Sequence, residues 1–559
     1  LLVLWSSLYS NLVERKQALM RTLIVLCLSI TTTASTLKAD TIAQKVDQLF
    51  ASFDKAGSPG CSVGAIRNGS FVYKKSFGYA SLELAVPLTP ESVFYMGSVS
   101  KQFTAGSVIL AAEQGYLSLD DDVHKHLPEL PDYGHPVTLR QMLHQTSGFR
   151  DLFDLISLSE LDPKEIESPT DILKLIVRQK GLNNVPGEEW IYSNSNYFLL
   201  AEVIQRATKK SLARFAAENI FQPLGMVHTL FYDDNTLVVP NRVAAYDPGK
   251  NGNFMVDWST TYHLVGGGGL MSNLDDLLLW DRNFYSDKLG KGRLIKELES
   301  RGVLNDGNQI SYAMGLDLGD YRGLPTVEHG GALFGYRTEF LRFPQQRFSV
   351  IVLCNVSSAY PEGLARKTAD LYLQEDFAPA SGESQPSPGF PDPATFAGTY
   401  LDPRTKTIYK FTADRGNLIG WGESLRRIDA NKFYDLGNGV ITFDSENGAM
   451  RASLRIPGEL YFSGDRIQPL QLGVVELSTF TGNFHSDELD STYTLSVEDK
   501  RLTVKRRSNA PVPLDAATKN EFYSGELGTI VFYTDANHHV SGFNLFTQQA
   551  RGIVFAKVH

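Results

Sequence analysis

The chain has only three cysteines in 559 residues, and one of them, Cys27, lies in a stretch that reads as a removable leader. The remaining two, Cys61 and Cys354, are too few for a disulfide-scaffolded fold, so buried thiols in strands are the first expectation. Positive charge is not in excess either. Lys and Arg number 53 against 63 Asp and Glu, and no concentrated basic face or tail stands out. That argues against nucleic acid as a partner, because phosphate contacts need clustered Lys and Arg. The apolar run LIVLCLSI near the start is too short to span a bilayer as a stable anchor. His124/His126 and His538/His539 have no carboxylate or cysteine companion at ligand spacing, so no metal and no other cofactor is expected. The tetraglycine Gly266–Gly269 lacks the Lys-Ser/Thr ending of a phosphate loop and reads instead as a pliable pocket wall.

What is present is a long chain of ordinary globular composition. With 42% hydrophobic and 21% charged residues it is neither disordered nor a polytopic membrane protein. At about 150 residues per domain, three or four domains are allowed. Met20-Arg21, the apolar run and the small residues up to Ala39 have the layout of an export signal. Residues 1–19 are expected to precede the true start, and the mature chain to begin near Asp40. Leu26 before Cys27 speaks against lipid attachment. A periplasmic or secreted protein with no stable membrane anchor is the expectation.

Three short motifs occur in order: Ser98-Val99-Ser100-Lys101, Tyr192-Ser193-Asn194 and His329-Gly330-Gly331. Singly they are weak, since Ser-x-x-Lys recurs at Ser35/Lys38 and Ser52/Lys55, and a second YSN lies at Tyr9–Asn11. Context separates them. Ser98 follows the run SVFYMG and opens a segment whose apolar residues Phe103, Val108, Ile109 and Ala112 return at helical spacing. Lys101 is one turn on, within reach of the Ser98 hydroxyl. With PGCSVGAIRNG, LRQMLHQTSGF, PGEEWIYSNSNYFLLAEVI, IFQPLGM and GGGGLMSNLDDLLLW, residues 42 to 375 resemble the serine β-lactamase-like superfamily. The branch is that of class C β-lactamases, D-alanyl-D-alanine carboxypeptidases, D-aminopeptidases and related esterases.

The expected fold is α/β (α+β). A leader (1–39) precedes a β-lactamase-like catalytic domain (40–377), with an antiparallel sheet flanked by helices plus an all-helical lobe. CSVGAIR and SFVYKKSFGYA flank Asn68-Gly69, a type I′ hairpin signal, and TVEHGGALF, YRTEFLRFP and FSVIVLCN complete the sheet. The segment 153–170 reads as a long loop shaping the pocket. The resemblance also implies that the first and last strands pair, which would bring Cys61 close to Cys354. A Pro/Ser/Gly-rich linker (378–393) follows. Beyond it TFAGTY recurs as TFTGNF, and NKFYDLGNGVITFD is answered by NEFYSGELGTIVFYTD, giving two tandem β-modules, 394–475 and 476–559. Their closure into lipocalin-like barrels is implied by the resemblance alone.

A serine hydroxyl needs a base to become a nucleophile, and the residues leave Lys101 and Tyr192 as alternatives. The resemblance implies that Ser98 is acylated, that Tyr192 takes its proton, and that Lys101 polarises both hydroxyls. It further implies that Asn194 binds the substrate amide and that His329 faces the pocket from an edge strand as a donor or partial positive charge. The N–H groups of Ser98 and Ala332 would hold the oxyanion. Gly330 lacks the hydroxyl of the Lys-Thr-Gly triplet in β-lactamases, which tilts the reading toward a D-amino-acid peptidase, amidase or esterase. A β-lactamase or carboxypeptidase is the alternative, and a non-catalytic peptide-binding protein the second. Gly331 is expected to stay small so that substrate can lie on the strand, and His144 to tie down a loop. The partner is then a small-molecule or peptide substrate, cell-wall fragments included; oligomeric state is left open.

Overall fold

The computed structural model describes residues 41–558 except 160, 162–167, 258–263, 287, 378–389, 421, 435–438, 447, 457–458 and 508–509. The leader and most of the linker lie outside the described residues.

A six-stranded antiparallel sheet runs in the order Asp317–Tyr321, Leu324–Leu333, Tyr336–Phe343, Phe348–Cys354, Cys61–Arg67, Ser70–Phe77. Asn68 (φ 52°) and Gly69 (φ 72°) are both left-handed, as a two-residue I′ turn requires. The first strand pairs with the last expected one in a register that sets Cys61 opposite Cys354, and the two are disulfide-bonded across a Cα separation of 4.0 Å. The expectation of free thiols is thereby corrected, and the closeness that the resemblance implied is observed: strand pairing brings together two cysteines 293 residues apart.

Two further readings are corrected. Asp317–Tyr321 is a strand, although DLGDY has no apolar alternation to announce it; pairing with Leu324–Leu333 makes it one. Its pairing stops at Asp317 opposite Glu328, so the edge expected at His329 opens only there. Residues Leu152–Ser159 form a helix rather than loop, burying Leu152, Leu155, Ile156 and Leu158. Asp151 Oδ1 caps it, accepting from Phe153 N (2.8 Å) and Asp154 N (3.3 Å).

The helical lobe centres on Lys101–Glu113 and Asn194–Thr208, both buried along most of their length. Beyond residue 390 the chain is all-β apart from short helical turns. Two nine-stranded barrel-like sheets, spanning Gly398–Ile467 and Gly482–Val558, have the same strand order, the first strand pairing with the last. The two copies of the repeated motif each open the first strand of a sheet: Gly398 lies against Arg466 and Gly482 against Lys557, equivalent partners in the two last strands. Among the described residues no helix is long and apolar enough to cross a membrane.

Candidate active site

Ser98 lies in a 3-10 turn, Gly97–Ser100, that runs directly into the helix Lys101–Glu113. The turn is pressed against the strand carrying His329-Gly330-Gly331. A Cβ on Gly97 (φ 52°) would stand 2.8 Å from Ala332 N, and one on Gly331 would stand 2.1 Å from Met96 O. Packing alone therefore requires a glycine at 331, since Met96 O and Thr338 Oγ1 occupy the space a side chain would take. The contact brings the backbones of Ser98 and Ala332 to one pocket of about 260 Å³.

Lys101 is completely buried. Its Nζ donates to Ser98 Oγ (3.1 Å), Asn194 Oδ1 (2.8 Å) and Gly267 O (2.7 Å), and lies over the rings of Tyr192 and Tyr197. Burial pushes its pKa down to about 7, against a partly restoring pull from the Asp151 carboxylate. Tyr192 moves the other way: burial holds its phenol well above the ordinary tyrosine value, although a hydrogen bond with Ser98 works against this.

Asn194 opens its helix with both amide atoms engaged. Oδ1 accepts from Lys101, while Nδ2 (2.8 Å) and the backbone N (2.5 Å) donate to Asp151 Oδ2. One Nδ2 hydrogen is left for a substrate. Asp151, which the sequence did not single out, thus caps one helix with one oxygen and anchors the start of another with the second. Burial raises its pKa and the Asn194 bonds lower it.

His329 is brought to the same group, its ring 6.3 Å from that of Tyr192. Its Nδ1 faces Gly330 O at 2.6 Å, so Nδ1 carries the proton, and Nε2 accepts from Tyr312 OH at 3.2 Å. Burial, reinforced by Lys101, pushes its pKa down to about 3. This arrangement suits a neutral imidazole with both nitrogens engaged inside the protein. Gly330 points its missing side chain toward Glu339, 3.0 Å from an added Cβ. His144 is buried, and burial pushes its pKa down to about 4, with the nearby backbone of Tyr312 and Ala313 working against this.

The tetraglycine wall is tied to its neighbours by hydrogen bonds. Gly266 O accepts from Thr104 Oγ1 (2.8 Å), Gly267 O from Lys101, and Gly269 N donates to Tyr95 OH (2.8 Å). The rest of the pocket is apolar: Leu152, Phe153, Phe198, Leu264, Val265 and Leu333. Gln549, from the second β-module, closes one side. None of the described lining residues carries a permanent charge. Elsewhere, His124 engages Asp122 and His126 engages Asp121, and among the described residues no group of three His, Cys, Asp or Glu is placed to hold a metal.

Residues 43–375 match the beta-lactamase family. The chain belongs to that family. A D-aminopeptidase of Brucella ovis is 26% identical over 535 residues, covering 89% of this chain and 96% of the relative. One from Gluconobacter oxydans is 28% identical over 347 residues, covering 62% and 64%. An octameric penicillin-binding protein homologue from Pyrococcus abyssi shares the fold at 20% identity and a TM-score of 0.55, covering 84% of this chain and 98% of its own. The protein is a β-lactamase-fold serine hydrolase related to D-aminopeptidases.

Proposed function

We propose that this is an exported hydrolase that forms an acyl-enzyme on Ser98 while cleaving amide or ester bonds of D-amino-acid derivatives or small esters. The observation that carries the reading is a completely buried amine 3.1 Å from the Ser98 hydroxyl, beside a pocket whose described lining carries no charge, where burial pushes the amine's pKa down to about 7. Lys101 as free base takes the Ser98 proton as Oγ attacks the carbonyl carbon. The N–H groups of Ser98 and Ala332 receive the oxyanion. Tyr192, kept protonated by burial and bonded to Ser98, hands a proton to the departing nitrogen or oxygen and recovers it from Lys101. Water then resolves the ester by the reverse route. Export is supported by the Cys61–Cys354 bond, which suits an oxidising compartment.

Penicillins and D-Ala-D-Ala termini carry a carboxylate beside the scissile bond. With His329 neutral, no hydroxyl at Gly330 and no charged lining residue, nothing described in this pocket holds that carboxylate. A substrate panel tests the reading: D-aminoacyl anilides, short-chain esters, nitrocefin and D-Ala-D-Ala peptides. D-Aminoacyl anilides or short esters should be hydrolysed best, and nitrocefin as the best substrate would contradict it.

A further inference from the structure

On the far side of Tyr192 lies a second cavity, of about 280 Å³, that belongs to no single domain. The catalytic domain contributes Trp190 and Tyr192, the first β-module Tyr461 and Arg455, and the second Gln549. Tyr192 and Gln549 also line the pocket at Ser98, so the two spaces share a wall. Aromatic contact is continuous across the junction: the ring of Trp190 is 6.5 Å from Tyr192 and 6.4 Å from Tyr461.

The charges in this cavity are not equivalent. Glu189 is neutralised by Arg404 (2.5 Å) and Arg551 (3.0 Å), and Asp306 accepts from Asn308. Arg455 and Glu188 are both exposed and line the cavity without an ion-pair partner among the described residues. Trp190 Nε1, buried in the same wall, has no hydrogen-bond acceptor among the described residues. Unsatisfied donors of this kind are uncommon in folded proteins and point to a missing acceptor.

Building on the hydrolase reading, we infer that this junction cavity binds the leaving portion of a peptide substrate that ends in a free carboxylate. The leaving nitrogen must depart beside Tyr192, and the cavity begins there. The terminal carboxylate pairs with Arg455, an apolar or aromatic residue packs on Trp190 and Tyr461, and a peptide N–H is offered to Glu188. The substrate class is then a short peptide cleaved at its D-aminoacyl end, long enough for its carboxylate to pass the uncharged pocket and reach the first β-module.

The test uses the full chain and D-phenylalanyl peptides of two to four residues with a phenylalanine in the leaving part, each as free acid and as C-terminal amide. For one of these lengths, KM should be about five- to tenfold lower for the acid than for the amide. Arg455→Gln should erase that preference, and Arg455→Glu should reverse it. Binding of the same pairs to Ser98→Ala protein, read by calorimetry and by Trp fluorescence, should show the same order without turnover. Equal KM for acid and amide at every length, or a preference that survives Arg455→Gln, overturns the inference. Hydrolysis of D-phenylalanyl p-nitroanilide by the parent protein reports on the hydrolase reading separately, so the two can fail independently.

Discussion

The two β-modules are the same fold put to different uses. They share strand order and a repeated opening motif, yet the first keeps its own core of Phe396, Tyr400, Phe411, Phe433 and Phe443, while the second merges its core with the helical lobe. The first module meets the rest of the protein through polar contacts such as the partly exposed Arg404–Glu189 pair and the more buried Lys406–Glu521 pair. The second reaches the catalytic scaffold directly. Gln549 O accepts from Asp151 N (2.9 Å), Thr547 donates to Asp154 (2.5 Å), Tyr493 donates to Leu158 O (2.7 Å), and Glu488 is buried in an ion pair with Arg150. Since Gln549 O holds Asp151, Asp151 holds Asn194, and Asn194 holds Lys101, the second module is three hydrogen bonds from the Lys101 amine. Topology therefore says little about a module's role; what it is buried against says more.

The largest expected contrast is between the two ion pairs. Glu488→Ala leaves the Arg150 guanidinium buried and unpaired and should cost about 3–5 kcal/mol, whereas Arg404→Ala, at a half-exposed pair, should cost less than about 1 kcal/mol. Denaturant midpoints compare them, and equal losses would break the distinction. Asp154 gives a pH-dependent version. Burial at the second-module contact raises its pKa to about 6, so its contribution is most favourable below about pH 4 and is lost as pH rises through 6. Asp154→Asn should thus stabilise the protein by about 1–2 kcal/mol at pH 8, with the gain vanishing near pH 4.

Activity sharpens the same comparison. If Lys101 acts as free base, kcat/KM should rise with pH through about 7. Asp151 favours the ammonium, so Asp151→Asn should move that limb to lower pH, whereas Arg404→Ala should leave it in place. A limb unmoved by Asp151→Asn would detach the second module from the chemistry. Tyr493→Phe, which removes one buried hydrogen bond to Leu158 O, should cost about 1 kcal/mol by thermal unfolding, well below the loss expected for Glu488→Ala.

Much of this was legible in the sequence because the decisive groups sit in short local patterns. Ser98 and Lys101 share one turn, Tyr192 and Asn194 flank one residue, and the strands and repeat announce themselves by alternation and by TFAGTY/TFTGNF. What was missed is non-local. Asp151, Tyr312 and Gln549 acquire their importance from segments far away in the chain, and a lone Asp, Tyr or Gln carries no motif. The charge state of His329 was also out of reach, because it depends on burial beside Lys101 and on a bond to Gly330 O that spacing cannot show. A capping Asp151 before LFDLISLS was readable as a helix start, and that signal could have corrected the loop expected there.

The central claim is that Ser98 is the acylated nucleophile. Intact-mass measurement after treatment with a fluorophosphonate tests it most directly, with the parent chain and Ser98→Ala side by side. One adduct on the parent and none on Ser98→Ala is the expected result. No adduct on the parent, or an equal adduct on both, would contradict it.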